Sequence, residues 1–311
     1  MSSENSISKL IAKYDSSSVK RATRLKFESI GMFDVYNITA PFKVRRSMYI
    51  LGRVEMRDNE LGAKVMFFKK KGRTWVFDPY APIFNMQDPF ITKIGDLFVV
   101  GGVEVMQKSL GGKIRYRTVF YKGSDIYSLR QFATGPWGMK DIRLVGLDGG
   151  KVGIFTRPQG RKGGKGKIGF TIVNSLSGVK ARKISNAEIL KDQFDKGEWG
   201  GVNETHLLDN GLIGVLGHIA KFKEDNGEKF RYYYPITFIF NPETMKFSDM
   251  KIIATRKKIP KSHAKRPDLY NVIFPGGLIR EGYKSKLYVG VADAEAFKLI
   301  LDDPFKEIEK E

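Results

Sequence analysis

Hydrophobic residues in this chain come in short β-branched and aromatic runs separated by turn residues. SMYILGRVE, AKVMFFKK, DLFVVGGVEV, IRYRTVFYKG, KVGIFTRP, KIGFTIVNS, GLIGVLGHIA, YYYPITFIFNP and KLYVGVAD are all of this kind. Gly, Asn, Asp or Pro bounds most of them, which is the signature of strands closed by tight turns. Helical periodicity is confined to Ser6–Tyr14, Asn186–Phe194 and a turn near the C-terminus. The pattern predicts an all-β protein, and turn signals every 8 to 15 residues restrict it to sandwiches, a barrel or a propeller.

Internal repetition selects among these. Comparable blocks begin near Asn37, Asp88, Asp141, Glu204 and Asn271, at separations of 51, 53, 63 and 67 residues. Each opens with a short polar or Pro-containing segment, followed by a strand, a turn and a second strand. About 50 residues is the size of a four-stranded blade. Five such units predict a five-bladed β-propeller over residues 31–311, preceded by a partly helical N-terminal extension over residues 1–30. The innermost strand of a blade lines the central channel, so five polar openings would converge on one axial pocket.

Composition narrows the chemistry. With no cysteine, disulfides, thiolate metal sites and cysteine nucleophiles are excluded, and a reducing compartment fits. The N-terminal MSSENSISKLIAKYDSSS lacks the apolar core of a secretory signal, and no apolar run is long enough to span a bilayer. A soluble cytoplasmic protein without a membrane partner is the expectation. Fifty-four Lys and Arg against 34 Asp and Glu give a formal charge of +20, which favours anionic ligands. The clusters at Lys69–Arg73, Arg161–Lys167 and Arg256–Arg266 read as solvated basic loops. No nucleic-acid-binding motif accompanies them, so a nucleic-acid partner is not expected.

The block openings carry a family resemblance. YNITAPF with YILGRVE, QDPFITKIGDLFVVGGVEV, MKDIRLVGLDGGKVGIFTRPQG, GGVNETHLLDNGLIGVLGHIA and YNVIFPGGLIREGYKSKLYVGVAD resemble, in order, the five blades of glycoside hydrolase family 130. The resemblance runs from about residue 35 to residue 295, and the chain also resembles the domain-of-unknown-function family 1861. Family 130 contains inverting phosphorylases and hydrolases of β-mannosides. The resemblance therefore implies an oligosaccharide substrate, no cofactor and no metal, with phosphate as a second ligand if the reaction is phosphorolysis. Self-association into a homo-oligomer is left open.

Site residues follow from the same resemblance. Asp88 matches the family's proton-donating acid, acting directly or through a substrate hydroxyl. Gln87 and Phe90 replace charged neighbours of that acid, a change expected to raise its pKa. Asn37, Arg53, Lys140, Asp141, Asn271 and Asp293 are implied sugar ligands, and Arg157 matches an arginine that contacts phosphate. Glu204 stands where the phosphorylases carry a lysine, so it is read as the base of an inverting hydrolase. His206 and His218 are read as sugar-binding or pKa-tuning groups, in preference to zinc ligands with Glu204. Trp137 and Trp199 are the candidates for stacking on a sugar ring. The leading expectation is β-mannoside hydrolysis. Phosphorolysis is the first alternative, and a non-catalytic carbohydrate-binding propeller is another.

Overall fold

A computed structural model describes residues 3–107 and 112–310, and among these the strands dominate. Most strands are joined in sequence as antiparallel meanders. The first meander orders Asp34–Tyr36, Ser47–Glu55, Lys64–Lys71 and Thr74–Phe77, with Phe27–Glu28 and Phe42–Val44 added to it. The second runs Gln87–Ile94, Leu97–Gln107, Ile114–Gly123, Arg130–Thr134. The third runs Arg143–Gly146, Val152–Thr156, Gly169–Val173, Glu188–Ile189. The fourth contains Trp199–Leu207, Ile213–Asp225 and Glu228–Asn241, and the fifth contains Asn271–Glu281, Lys284–Val291 and Glu295–Asp302. A two-residue parallel pairing, Tyr232 to Asn271 and Tyr233 to Val272, merges the last two into one nine-stranded sheet.

The chain ends meet. Val19–Arg24 pairs antiparallel with Glu295–Asp302, so an N-terminal strand completes the fifth meander. Just before it, Ile7–Ala12 forms a helix capped by Ser6, and its Ile7 and Leu10 pack with Phe170 and Phe238. Between the meanders lie aromatic and aliphatic layers. Phe155, Phe170 and Phe240, for example, meet with centroids 4.7–5.2 Å apart, in the tilted and edge-on geometries that aromatic quadrupoles favour.

The helix expected at Asn186–Phe194 is absent. A single helical turn spans Ala181–Ser185, Asn186 is its C-cap, and Glu188–Ile189 is strand. Gln193 explains the difference. Its side-chain amide accepts from the Ile168 amide (2.6 Å) and donates to the Ile168 carbonyl (2.7 Å), taking the place of a neighbouring strand. Among the described residues no helix is long and apolar enough to cross a membrane.

Candidate functional site

The site begins with backbone geometry at the inner end of each meander. Asn37, Asp88, Asp141 and Asp293 all have left-handed backbone, with φ of 43°, 49°, 57° and 51°. Asn and Asp tolerate that region better than other side chains, yet each instance still costs ~1–3 kcal/mol. The strand register slips at the same level, between Gln87 and Phe90, between Val202 and Glu204, and between Pro275 and Gly277. These bulges turn the side chains of Asp88 and Asn203 inward.

Together these turns build a cavity of about 220 Å³ whose lining comes from every meander. Asn37, Arg53 and Glu60 come from the first, Gln87 and Asp88 from the second, and Lys140 from the third. Arg231 and Tyr233 of the fourth and Arg266, Phe274 and Asp293 of the fifth and its preceding loop complete it. Its lining is mostly polar and charged.

One wall is a buried ionic network. Asn37 Nδ2 donates to Asp88 Oδ1 (2.8 Å), and Arg53 Nη1 reaches the same oxygen (3.1 Å). Arg53 also donates through Nε and Nη2 to Glu55 Oε2, at 2.9 and 2.8 Å. Tyr36 Oη and Lys265 Nζ close on the other Glu55 oxygen. Burial alone would push the Asp88 carboxyl up, but Arg53, Lys140 and the Asn37 amide outweigh it and hold the pKa below the usual carboxylate value. The rise expected from Gln87 and Phe90 is thus not found. Charge lost along the sequence is restored across the cavity by Arg53 and Lys140. Phe90 itself is buried, with the Arg143 guanidinium 4.7 Å above its ring.

Behind Lys140 lies a second buried cluster, Asp141, Arg143, Arg157, Asn203 and His218, none of which lines the cavity itself. Asp141 is buried and faces Arg157 Nη1 (3.4 Å). Burial works against its charge, but Lys140, Arg157, His218 and Arg143 overcome it and lower the pKa to about 2. Arg157 is anchored by donating Nε to the Gly200 carbonyl (2.8 Å), and Arg143 by donating Nε to the Asn203 carbonyl (2.7 Å). His218 Nδ1 pairs with Asn203 Oδ1 at 2.8 Å, and the ring stacks against Tyr233 at 5.5 Å. Burial lowers its pKa to about 3, so the ring is neutral near pH 7. Lys140 reaches the cavity without an ion pair within 4.0 Å among the described residues. Buried polar atoms here are left unsatisfied: Asn37 Oδ1, Asp141 Oδ1, Arg157 Nη1 and Asn203 Nδ2 have no hydrogen-bond partner. Such orphans are costly, and of the four Asn37 borders the cavity while the other three lie in the cluster behind Lys140.

Several sequence candidates lie elsewhere. Glu204 does not line this cavity: its Oε2 accepts from the Leu278 amide (2.6 Å) and pairs with His206 Nε2 (2.9 Å), beside Phe305. The bulge at Val202–Glu204 is the reason, since one inserted residue puts Asn203 on the inner face and Glu204 on the outer. His206 and His218 are separated in the same way, and no three metal-ligating side chains gather among the described residues. Asn271 lines an outer pocket with Tyr232, Tyr234 and Arg256. Trp199 is buried and donates to Tyr233 Oη (3.1 Å), whereas Trp137 lies under the Arg115 and Arg117 guanidiniums at 4.3 and 4.5 Å. The rings bordering the cavity are Tyr233 and Phe274.

Glu55, Lys265, Arg143 and Asn203 are parts of the site that pattern reading did not pick out. Arg143 had a signal, standing two residues beyond Asp141 and hence on the same face of an extended segment. Lys265 had none. It sits within a basic cluster read as solvated, yet its side chain is 4% exposed and pairs with Glu55 and Glu60.

Comparison with known proteins extends this picture. The profile of a family described as protein of unknown function (DUF1861) matches residues 12–307. A search of curated protein sequences finds no match. Among solved structures, MPT-4, a mannose phosphorylase from Leishmania mexicana in complex with a phosphate ion, superposes with a TM-score of 0.90. The two are 31% identical over 97% of this chain and 94% of that one. MPT-1, a GDP-Man-dependent mannosyltransferase from the same organism, gives 0.89 at 32% identity, over 97% and 96%. The β-1,2-mannobiose phosphorylase of Listeria innocua gives 0.63 at 15% identity, over 90% and 93%, a likeness of fold. The fold is thus of the β-propeller type seen in glycoside hydrolase family 130.

Proposed function

This chain belongs to the DUF1861 family, and from that premise we propose that it is a glycoside-active enzyme cleaving a mannoside with inorganic phosphate. In this reading the five meanders are the blades of a closed propeller. The pairing of Val19–Arg24 with Glu295–Asp302 is its seam, and the cavity lies on its axis.

The observation that carries the reading is that one cavity combines carboxylates with an unpaired lysine. Asp88 and Asp293 present carboxylates. The cations of the lining are Arg53, Lys140, Arg231 and Arg266, and of these Lys140 alone makes no ion pair within 4.0 Å among the described residues. A sugar needs hydroxyl acceptors, and phosphate needs converging cationic donors with no acid in contact. Asp88, held ionised through Oδ1 by Arg53 and Asn37, keeps Oδ2 to accept from a sugar hydroxyl. Lys140, with Arg231 and Arg266 in the same lining, supplies the phosphate side. Hydrolysis is less well supported, because Glu204 is committed to Leu278 and His206 away from the cavity. The mannose phosphorylase at 31% identity supports the same choice.

The test is to supply β-linked mannobiose with and without inorganic phosphate and follow the products by ³¹P NMR. Phosphate-dependent appearance of mannose 1-phosphate is the expected result. Free mannose released at an equal rate without phosphate would restore the hydrolytic reading.

A further inference from the structure

Three carboxylates line the cavity; Glu60 is paired with Lys265 and Arg266, and the structure treats the other two in opposite ways. Asp88 is bound at one oxygen by Asn37 and Arg53. Asp293 accepts no hydrogen bond and makes no ion pair within 4.0 Å among the described residues. It is nonetheless rigidly presented. It ends the Lys284–Val291 hairpin segment in left-handed backbone, directly after Ala292, which has the same conformation (φ 54°). The Ala292 amide donates to the Val272 carbonyl (2.8 Å) and the Ala292 carbonyl accepts from the Lys265 amide (3.0 Å), so this turn cannot swing away from the cavity.

We infer that Asp293 is the proton donor to the departing glycosidic oxygen, while Asp88 stays ionised and orients the sugar through a hydroxyl. The inference rests on the glycoside-cleaving reading of the same cavity. It divides between two residues a task that the sequence assigns to one.

The surroundings fit this division. The charged and titratable groups facing Asp293 are Arg53 and Glu55 from strand Ser47–Glu55, Asp88 from strand Gln87–Ile94, Tyr36, and Lys265 from the preceding loop. Burial raises the Asp293 pKa; Arg53 and Lys265 pull it down, Asp88 and Glu55 push it up, and the outcome is about 6. Two carboxyls in one site with opposed pKa shifts are the arrangement in which one is acid and the other stays charged.

The step balances. As a phosphate oxygen of HPO₄²⁻ bonds to the anomeric carbon, the bond from that carbon to the glycosidic oxygen breaks and its electron pair goes to the oxygen. The Asp293 proton moves to that oxygen, giving a neutral alcohol. The sugar phosphate is first formed as a monoanion. Its remaining acidic proton, with a pKa near ~6, returns through solvent to Asp293.

Leaving-group dependence tests the role. Asp293→Asn, which keeps shape and tolerates the left-handed turn, is compared with wild type on β-mannobiose and on β-mannosyl fluoride, each with phosphate. Fluoride departs without a proton. The expected result is a loss of ~10²-fold or more on mannobiose, near-wild-type turnover of the fluoride, and disappearance of the fall in kcat/KM as pH rises through about 6. Retained turnover of the fluoride also reports that the variant is folded. Equal losses on both substrates, or an unchanged pH limb, would overturn the role and leave Asp293 a sugar ligand. If wild type releases free mannose, the phosphate reading falls, while the same comparison of leaving groups still decides Asp293.

Discussion

Arg53 is the residue on which most of the acidic wall depends. It holds Glu55 with two nitrogens and Asp88 with a third, and its guanidinium lies 5.1 Å from the Tyr36 ring. Removing one partner of a buried ion pair costs ~3–5 kcal/mol, because the other charge is left without compensation. Arg53→Met is therefore expected to lose stability of that order in urea denaturation, and to lose activity because the Asp88 carboxylate is released. Titration gives sharper signs. His218 is neutral in the fold with a pKa near 3, against ~6.5 unfolded, so its contribution is intact above pH ~6.5 and erodes as pH falls toward 3. The melting temperature should begin to drop below pH ~6.5, and His218→Gln should flatten the upper part of that fall. Asp293 has the opposite sign. Its raised pKa favours folding below pH ~4 and opposes it as pH rises through about 6. Asp293→Asn should thus be about 3 kcal/mol more stable than wild type at pH 8 and indistinguishable at pH 4, as calorimetry can check. A binding-site acid held at a stability cost is a familiar trade between function and folding.

At the scale of elements, bulges and chain closure matter most. Gly276 sits in the fifth meander's bulge, where an added Cβ would collide with the backbone carbonyl of Ile38. That collision is between backbones of two meanders, and no rotamer relieves it. Gly276→Ala should accumulate as insoluble protein or melt far below wild type. The N-terminal strand makes a second test. Val19–Arg24 covers the edge of Glu295–Asp302, and the helix before it buries Ile7 and Leu10. Deleting residues 1–24 would expose an unpaired edge next to an apolar patch, a template for intermolecular pairing. Size-exclusion chromatography should show aggregation in place of the wild-type species.

Strands such as Ser47–Glu55 were legible in the sequence to the residue, because a short β-branched and aromatic run bounded by turn residues specifies them locally. The fourth meander was legible except for its phase. An extra residue at Val202–Glu204 leaves composition and periodicity almost unchanged, yet it exchanges Glu204 for Asn203 at the site. The Asn186–Phe194 segment reads as helix because nothing local reveals that Gln193 will bond to Ile168.

The whole molecule carries a formal charge of +20, and its basic clusters are less uniform than solvated loops. Arg256 is buried, donating to the carbonyls of Ile259 (2.8 Å) and Pro260 (3.0 Å), whereas Arg266 borders the cavity. Within the Arg161–Lys167 loop, Lys162 donates to the Ser185 carbonyl (2.6 Å). Lys165 lies 5.2 Å from the Trp199 ring, and its own carbonyl accepts from Arg157. Part of the charge is thus spent inside the fold and part on the cavity rim. If phosphate is drawn in by that rim, screening should weaken the attraction, since the Debye length shrinks from ~10 Å at 0.1 M salt to ~3 Å at 1 M. Raising salt across that range should increase the KM for phosphate several-fold and leave the KM for neutral mannosyl fluoride nearly unchanged.

By itself the sequence determined the all-β class and brought Asn37, Asp88 and Asp293, though not Asp141, Glu204 or Asn271, to one cavity, because short β-branched and aromatic runs and turn chemistry are local properties that add along a chain. Only the tertiary structure decided which acid is charged, which residue of the fourth repeat faces inward and which lysine is buried. Ionisation depends on burial and on charges that arrive from other meanders, as Arg53 and Lys140 do at Asp88. An inward or outward face depends on a register that a single bulge can reverse.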